Sequence, residues 1–188
     1  MNRPLSPSPV PTVDSDNRRG AELAVEHLLE LGHRRIGFLA GRPDLESSRQ
    51  REEGYRAALA AAGVPADPAL VHVGDYDDDV RAAEALLTLP DRPTAVFVAN
   101  DTSAIVTMDV AVTLGLRVPA DLSVIGFDNV PESALTRPAL TTIDQPIQLM
   151  GERAVEILVE LLAGRQPEAT HVRLPTSLVP RGTCAPPV

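Results

Sequence analysis

Four short runs of almost unbroken apolar residues constrain the fold of this 188-residue chain: IGFLAG at 36–41, LVHVG at 70–74, TAVFVA at 94–99 and LSVIGF at 122–127. A strand with one face in water alternates apolar and polar residues, and continuous apolar runs are covered on both faces. Between the runs lie windows of helical spacing. Residues 46–62 carry Tyr55 and Leu59 inward and stop at Gly63-Val64-Pro65; residues 77–87 and 102–114 follow, the last ended by Gly115. Strands alternating with helices through short loops imply a parallel sheet with crossover helices. The expected fold class is therefore α/β, with a parallel, Rossmann-like sheet over 36–127.

Two further helical segments have no strand near them in sequence. In residues 17–31, which Asp16 or Asn17 can cap and Gly32 closes, Ala21, Ala24, Val25, Leu28 and Leu31 recur at helical spacing. In residues 146–163, stopped by Gly164, the stripe is Ile147, Met150, Ala154, Ile157, Leu158 and Leu161. Each is expected to pack on a second sheet that this chain largely lacks, so that both stripes are left uncovered. LTTID at 140–144 and Val172 to Val179 read as extended segments, and the Pro-rich residues 4–11 and the tail after Pro180 as loop.

Aromatic residues make up only 3% of the chain and Trp is absent, which leaves Ala, Val, Leu and Ile to build the core. Seventeen Lys plus Arg against 26 Asp plus Glu give a net charge of −9, which argues against a broad phosphate-binding surface and against nucleic acid as a direct partner. The single cysteine, Cys184, rules out an intrachain disulfide and a cysteine-built metal site, and suits a reducing cytoplasm. The opening MNRPLSPSPVPTV lacks the apolar core of a secretory signal, and no run approaches the ~20 apolar residues of a membrane-spanning helix. The expected location is cytoplasmic, with no membrane partner.

Three strands end on polar groups: AVFVAND on Asn100 and Asp101, LVHVGDY on Asp75 and Tyr76, and SVIGFDN on Asp128. Ligands of open parallel sheets bind outside the carboxyl ends of the strands, although Asp and Asn also serve there as ordinary caps. In the helix SSRQREEGYRAAL, Arg49 has Glu53 and Arg56 has Glu52 at four-residue spacing, whereas Arg51 has only Ser47 and Tyr55. Arg51 is then either a solvated arginine on a polar helix face or placed to reach a ligand or a distant carboxylate such as Asp128. Tyr76 either stacks on a ligand ring or covers the core edge. Asp77, Asp78 and Asp79 form an acidic first helical turn or an acidic metal patch. The chain has no Gly-x-Ser-x-Gly elbow, no Gly-rich phosphate loop with Lys and no paired histidines; His27, His33, His72 and His171 are scattered. No catalytic residue, metal ligand or cofactor is assigned, and binding is favoured over catalysis.

At this point the sequence resembles the effector-binding core of the lactose-repressor/galactose-repressor (LacI/GalR) family of bacterial transcription regulators, whose fold is shared with type I periplasmic sugar-binding proteins. The resemblance runs from Val13 to Arg181 and is carried by DNRRGAELAVEHLLELGHRRIGFLAG, SSRQREEGYRAAL, PTAVFVANDTSAIVTMDVAVTLGLRVPADLSVIGFDN, LTTIDQP and LPTSLVPRGT. It implies two α/β lobes joined by three crossovers, here near His33 to Arg35, Thr141 to Ile143 and Glu168 to His171. After a lead-in at 1–12, residues 13–35 and 141–170 would belong to the amino-terminal lobe and 36–140 and 171–181 to the carboxyl-terminal lobe, with a tail at 182–188. The family's ligand positions fall on Arg51, Tyr76, Asn100, Asp128 and Gln145. The implied function is that of a sensing module for a small sugar-like or nucleoside-like effector, homodimeric in the full-length protein. It would meet DNA only through an amino-terminal helix-turn-helix that this chain does not contain. The alternatives are a sugar solute-binding protein, which needs an export signal, and an enzyme acting on a sugar.

Overall fold

The computed structural model describes residues 10–74 and 78–188. Its elements are β1 (Thr12–Ser15), α1 (Asn17–Glu30), β2 (Ile36–Ala40), α2 (Glu46–Ala61), β3 (Val71–Val73), α3 (Asp79–Leu87), β4 (Ala95–Val98), α4 (Asp101–Thr113), β5 (Ser123–Ile125), β6 (Thr142–Asp144), α5 (Ile147–Leu162), β7 (His171–Leu174) and β8 (Ser177–Val179). Single helical turns lie at Pro68–Leu70 and Pro131–Ala134. The chain divides into two compact units, one of Asn17–Gln145 with Thr176–Val188, the other of Met1–Asp16 with Pro146–Pro175.

The larger unit holds a four-stranded parallel sheet in the order β3-β2-β4-β5. Side chains leave a strand on alternate faces, and here both faces are buried. Ile36, Phe38, Ala95 and Phe97 pack with Ala21, Val25, Leu28, Tyr55 and Leu59 of α1 and α2. Leu39, Val96, Val98 and Val124 pack with Ala83, Leu86, Met108 and Ala111 of α3 and α4. All three phenylalanines and Tyr55 are at the centre of this core, with Phe38 stacked between Tyr55 and Phe97 at 5.0 and 5.1 Å. The aromatic rings among the described residues are thus concentrated on one face of the sheet rather than dispersed.

Helix α1 corrects an expectation. Its stripe is covered: Ala21, Ala24, Val25 and Leu28 are fully buried, because α1 lies against α2 and closes the aromatic face of the sheet. The approach is close enough that a Cβ on Gly54 of α2 would meet the Arg18 carbonyl oxygen at 2.3 Å and the Ala21 Cβ at 2.8 Å. Residues 17–35, which the family resemblance gives to the amino-terminal lobe, therefore pack in this chain with 36–145. Gly54→Val is expected to force the helices apart and cost about 2–3 kcal/mol, which a denaturant titration reads as a lower midpoint at unchanged slope; an unchanged midpoint would mean the helix contact is looser than described.

Strand β5 is an edge strand, and its open edge is covered by two segments. Residues 141–144 run beside its carboxyl end, Gly126 N donating to Thr141 O at 2.9 Å and Asp128 N to Ile143 O at 2.8 Å; β6 then pairs with β8 in antiparallel register. The carboxyl-terminal tail covers the rest. Val124 N donates to Thr183 O at 2.9 Å, and Thr183 Oγ1 donates back to Val124 O at 2.6 Å. At the amino ends of the strands, buried His33 sets Nε2 2.9 Å from Ala185 O and Nδ1 2.8 Å from the Thr94 hydroxyl. Burial lowers the pKa of this imidazole, and the neutral form with its proton on Nε2 fits both partners. The tail is therefore loop in conformation but part of the packed structure.

In the smaller unit, β1 pairs in parallel with β7. Strand β1 is a departure from the expectation of a loop lead-in up to residue 12 and of a helix without a strand beside it. The extended stretch at 172–179 is split, β7 pairing with β1 and β8 with β6. Helix α5 has no buried residue. Ile157 and Glu160 line a shallow cleft with Val172 and Leu174 of β7, while Leu158, Val159 and Leu162 are exposed, the last at 79%.

Candidate functional site

The carboxyl ends of β2, β3 and β4 and the loop after β5 surround a cavity of about 250 Å³. Among the described residues its walls bring together Arg51, Asn100, Asp128 and Gln145 from the sequence expectations. Tyr76, with Asp75 and Asp77, lies outside the described residues.

Arg51 is held from several directions. Its Nε donates to Asn17 Oδ1 at 2.9 Å, Nη1 donates to the Ala99 carbonyl, and the guanidinium carbon stands 3.7 Å above the centre of the Phe127 ring. The same Nη1 lies 3.5 Å from Asp128 Oδ1. Arg51 shares its buried face with Ser48, Tyr55, Ala58 and Leu59, a spacing of three to four residues that turns it toward the sheet. Of its neighbours, Arg56 pairs with Glu52 as expected, at 2.7 Å, but Arg49 turns back to Glu46 rather than forward to Glu53.

Asp128 occupies an unusual backbone state, with φ at 115° and Asn129 following at 57°. Non-glycine residues rarely adopt such angles, and where they do the surroundings must hold them. Three contacts hold this one: the Asp128 amide on Ile143 O, Gln145 Nε2 donating to Asp128 Oδ1, and Asn129 Nδ2 donating to Asp144 Oδ1 at 2.7 Å. Burial raises the Asp128 pKa, opposed by the Arg51 charge and the Gln145 hydrogen bond. Gln145 is thus a partner of Asp128 as well as part of the cavity wall. Asn100 caps α4, its Oδ1 accepting from Ser103 N at 2.8 Å, so its amide nitrogen is the group left to donate.

Asp101, beside Asn100, faces away from the cavity. Its fully buried carboxylate accepts from the Thr142 hydroxyl and, at 2.9 Å, from Val130 N, tying α4 to β6 and to the Asp128 loop. Burial pushes its pKa up to about 6, against the opposing effect of those two hydrogen bonds, with the nearby Asp128 charge adding to the rise. A carboxyl whose pKa is raised on folding binds its proton more tightly in the folded state, so stability is lost as pH rises from the unfolded pKa near 4 through the folded value. The expected loss over pH 4–6 is on the order of 2–3 kcal/mol. Comparing unfolding free energies of the native chain and Asp101→Asn across that range isolates the effect. A difference that does not change with pH would place the titration elsewhere.

The sequence reading missed Asp79 and Ser48. Asp79 opens α3, is only 3% exposed, lines the cavity and accepts from the Ser103 hydroxyl at 2.7 Å. A signal was present: Asp79 lies three, four and seven residues before the buried Ala82, Ala83 and Leu86, so it shares their face. Its neighbour Asp78 is exposed and pairs with Arg81 at 3.4 Å. Ser48 stands on the Arg51 face by the same rule.

Residues 25–184 match the periplasmic binding protein-like domain family. The HTH-type transcriptional regulator CelR of Thermobifida fusca is 38% identical over 171 residues, covering 90% of this chain and 50% of that protein. The HTH-type transcriptional repressor CytR of Escherichia coli K12 is 38% identical over 176 residues, covering 93% and 52%. A solved CelR–cellobiose complex superposes with a TM-score of 0.90 at 37% identity, over 96% of this chain and 56% of that one. A LacI family transcriptional regulator from Mycobacterium smegmatis gives 0.88 at 37% identity, over 98% and 69%. The chain spans about half the length of the curated relatives it matches.

Proposed function

The chain belongs to the periplasmic binding protein-like domain family, as an effector-binding domain of the LacI type, and from that premise we propose that its strand-end cavity binds a small sugar-like or nucleoside-like effector. The observation that carries this is the Arg51–Asp128 pair at the cavity wall, 3.5 Å apart and largely dry. A fixed guanidinium and an ionised carboxylate side by side offer donors and acceptors to a hydroxylated ligand. Asn100, Gln145 and Tyr76 are proposed to complete the contacts. A relative in complex with cellobiose supports the saccharide class.

In this reading the domain senses and does not catalyse. It acts in the cytoplasm within a longer regulator that meets DNA through another domain. The full protein is proposed to be a homodimer. The outer face of α4 supports this with an apolar groove that includes Met108, Val112 and Leu116 and the Pro138 loop, beside Leu135 at 72% exposure.

A thermal-shift screen over monosaccharides, disaccharides and nucleosides is expected to give a saturable rise in melting temperature with at least one of them, with no product formed. Asp128→Ala is expected to weaken that ligand by at least tenfold, the loss of a charged hydrogen-bonding partner of about 1.5–3 kcal/mol. Turnover of the ligand, or an unchanged titration of Asp128→Ala, would overturn the reading.

A further inference from the structure

Resting on the effector role proposed above, we propose that Arg181 is a positioning residue of the effector site, whose guanidinium sets, through Asn129 and Ser133, the backbone state in which Asp128 faces the cavity. Arg181 lies two residues past β8, in the LVPRGT segment and outside the cavity wall. Its Nη2 donates to Asn129 Oδ1 at 2.6 Å, and Asn129 Nδ2 donates on to Asp144 Oδ1 at 2.7 Å. Its Nη1 donates to Ser133 Oγ at 2.9 Å and to Leu140 O at 2.7 Å, and the Ser133 hydroxyl donates to Val130 O at 2.6 Å. One planar group thus reaches the side chain of the residue after Asp128 and, through a hydroxyl, the carbonyl of the residue after that.

The loop needs such holding. Asp128 and Asn129 both have positive φ, at 115° and 57°, where residues with a Cβ are disfavoured unless their surroundings fix them. The Asp128 amide is tied to Ile143 O and the Val130 amide to the buried Asp101 carboxylate. Asn129, between them, is held by its side chain. Without the guanidinium the Asn129 amide loses its donor, Asp128 relaxes toward extended backbone, and its carboxylate leaves Gln145 and Arg51.

The tail itself does not depend on this side chain. Main-chain groups fasten it: Arg181 N donates to Thr141 Oγ1 at 2.9 Å, Gly182 N to Ala139 O at 2.8 Å, and Thr183 O accepts from Val124 N at 2.9 Å. A substitution at Arg181 leaves all three bonds in place, so its effect falls on the loop.

Isothermal titration with cellobiose, D-galactose, D-ribose and adenosine selects the tightest of the four as the probe. It is then titrated into the native chain, Arg181→Gln, Asn129→Ala and the double variant, each at a temperature where its melting curve shows it folded. Each single substitution is expected to weaken the probe by roughly fivefold or more, as for residues in one hydrogen-bond network. The double variant is expected to lie within about twofold of the weaker single, because both cut the same link. Thr183→Val loosens the tail without touching Asn129, and is expected to lower the melting temperature while leaving affinity within about twofold. Arg181→Lys keeps the charge without the planar fork; it is expected to weaken the probe less than Arg181→Gln, and takes its place should that variant not fold. Native affinity in the Arg181 variants, losses that multiply in the double variant, or an equal loss in Thr183→Val would overturn the proposal and leave the effector role in place. A native chain that binds none of the four would overturn both.

Discussion

Arg51→Ala is expected to cost stability as well as affinity, and more than any other single truncation in the cavity wall. The side chain is 10% exposed and joins four groups: Asn17 at the start of α1, the Ala99 carbonyl just past the end of β4, the Phe127 ring and Asp128. Its removal leaves a buried amide oxygen, a buried carbonyl and a largely buried carboxylate without their cation. Breaking such a pair from one side costs about 3–5 kcal/mol, on the order of 10 °C in melting temperature for a chain of this size. Arg51→Lys restores a charge but not the planar fork, and is expected to recover only part of the loss. Urea titrations of both variants, beside effector titrations under conditions where each is folded, separate the two effects. A melting temperature within 2 °C of the native chain for Arg51→Ala would show that the guanidinium is a ligand contact and little else.

The second large effect is the contrast between α5 and the four-stranded sheet in hydrogen exchange. No residue of α5 is buried, and Val155, Leu158, Val159 and Leu162 face solvent. Each such side chain forgoes about 1.5–3 kcal/mol of burial. Amides of α5 are therefore expected to exchange on the order of a hundredfold or more faster than those of β4 and β5, since local opening free energies run from near zero up to the global value. Helix α1, buried along its stripe, should be protected like the sheet. Uncovered apolar faces also favour self-association, so the measurement belongs at low concentration with the mass in solution checked. Equal protection of α5 and β4 in a monomer would contradict this account.

Much of the larger unit was legible because its signals are local. Unbroken apolar runs gave β2, β4 and β5, and glycines at helix ends marked the stops, as at Gly115, whose φ is 78°. What stayed hidden depends on partners far away in sequence. Strand β1 is four residues, TVDS, behind a Pro-rich segment, and it is a strand only because β7 lies beside it. The place of α1 turns on Gly20 and Gly54, two positions where the absence of a side chain admits a neighbour, and such absences have no periodicity to read. In the cavity wall, Arg51 stood out by lacking a local partner, whereas Asp79 was masked by two adjacent aspartates and only its register on α3 distinguishes it.

The fastening of the tail has a practical side. Cys184, the chain's single thiol, is packed beside Thr183 with its Sγ 3.4 Å from the Val124 carbonyl, and burial pushes its pKa up to about 11. Thiol reagents attack the thiolate, so in the native chain at neutral pH this sulfur is expected to react slowly. Its labelling rate then becomes a clock for release of the tail from β5. Because His33 and Ala185 meet at the amino ends of the strands, away from the cavity, that clock runs on the integrity of the sheet edge and is insensitive to direct shielding by whatever occupies the other end.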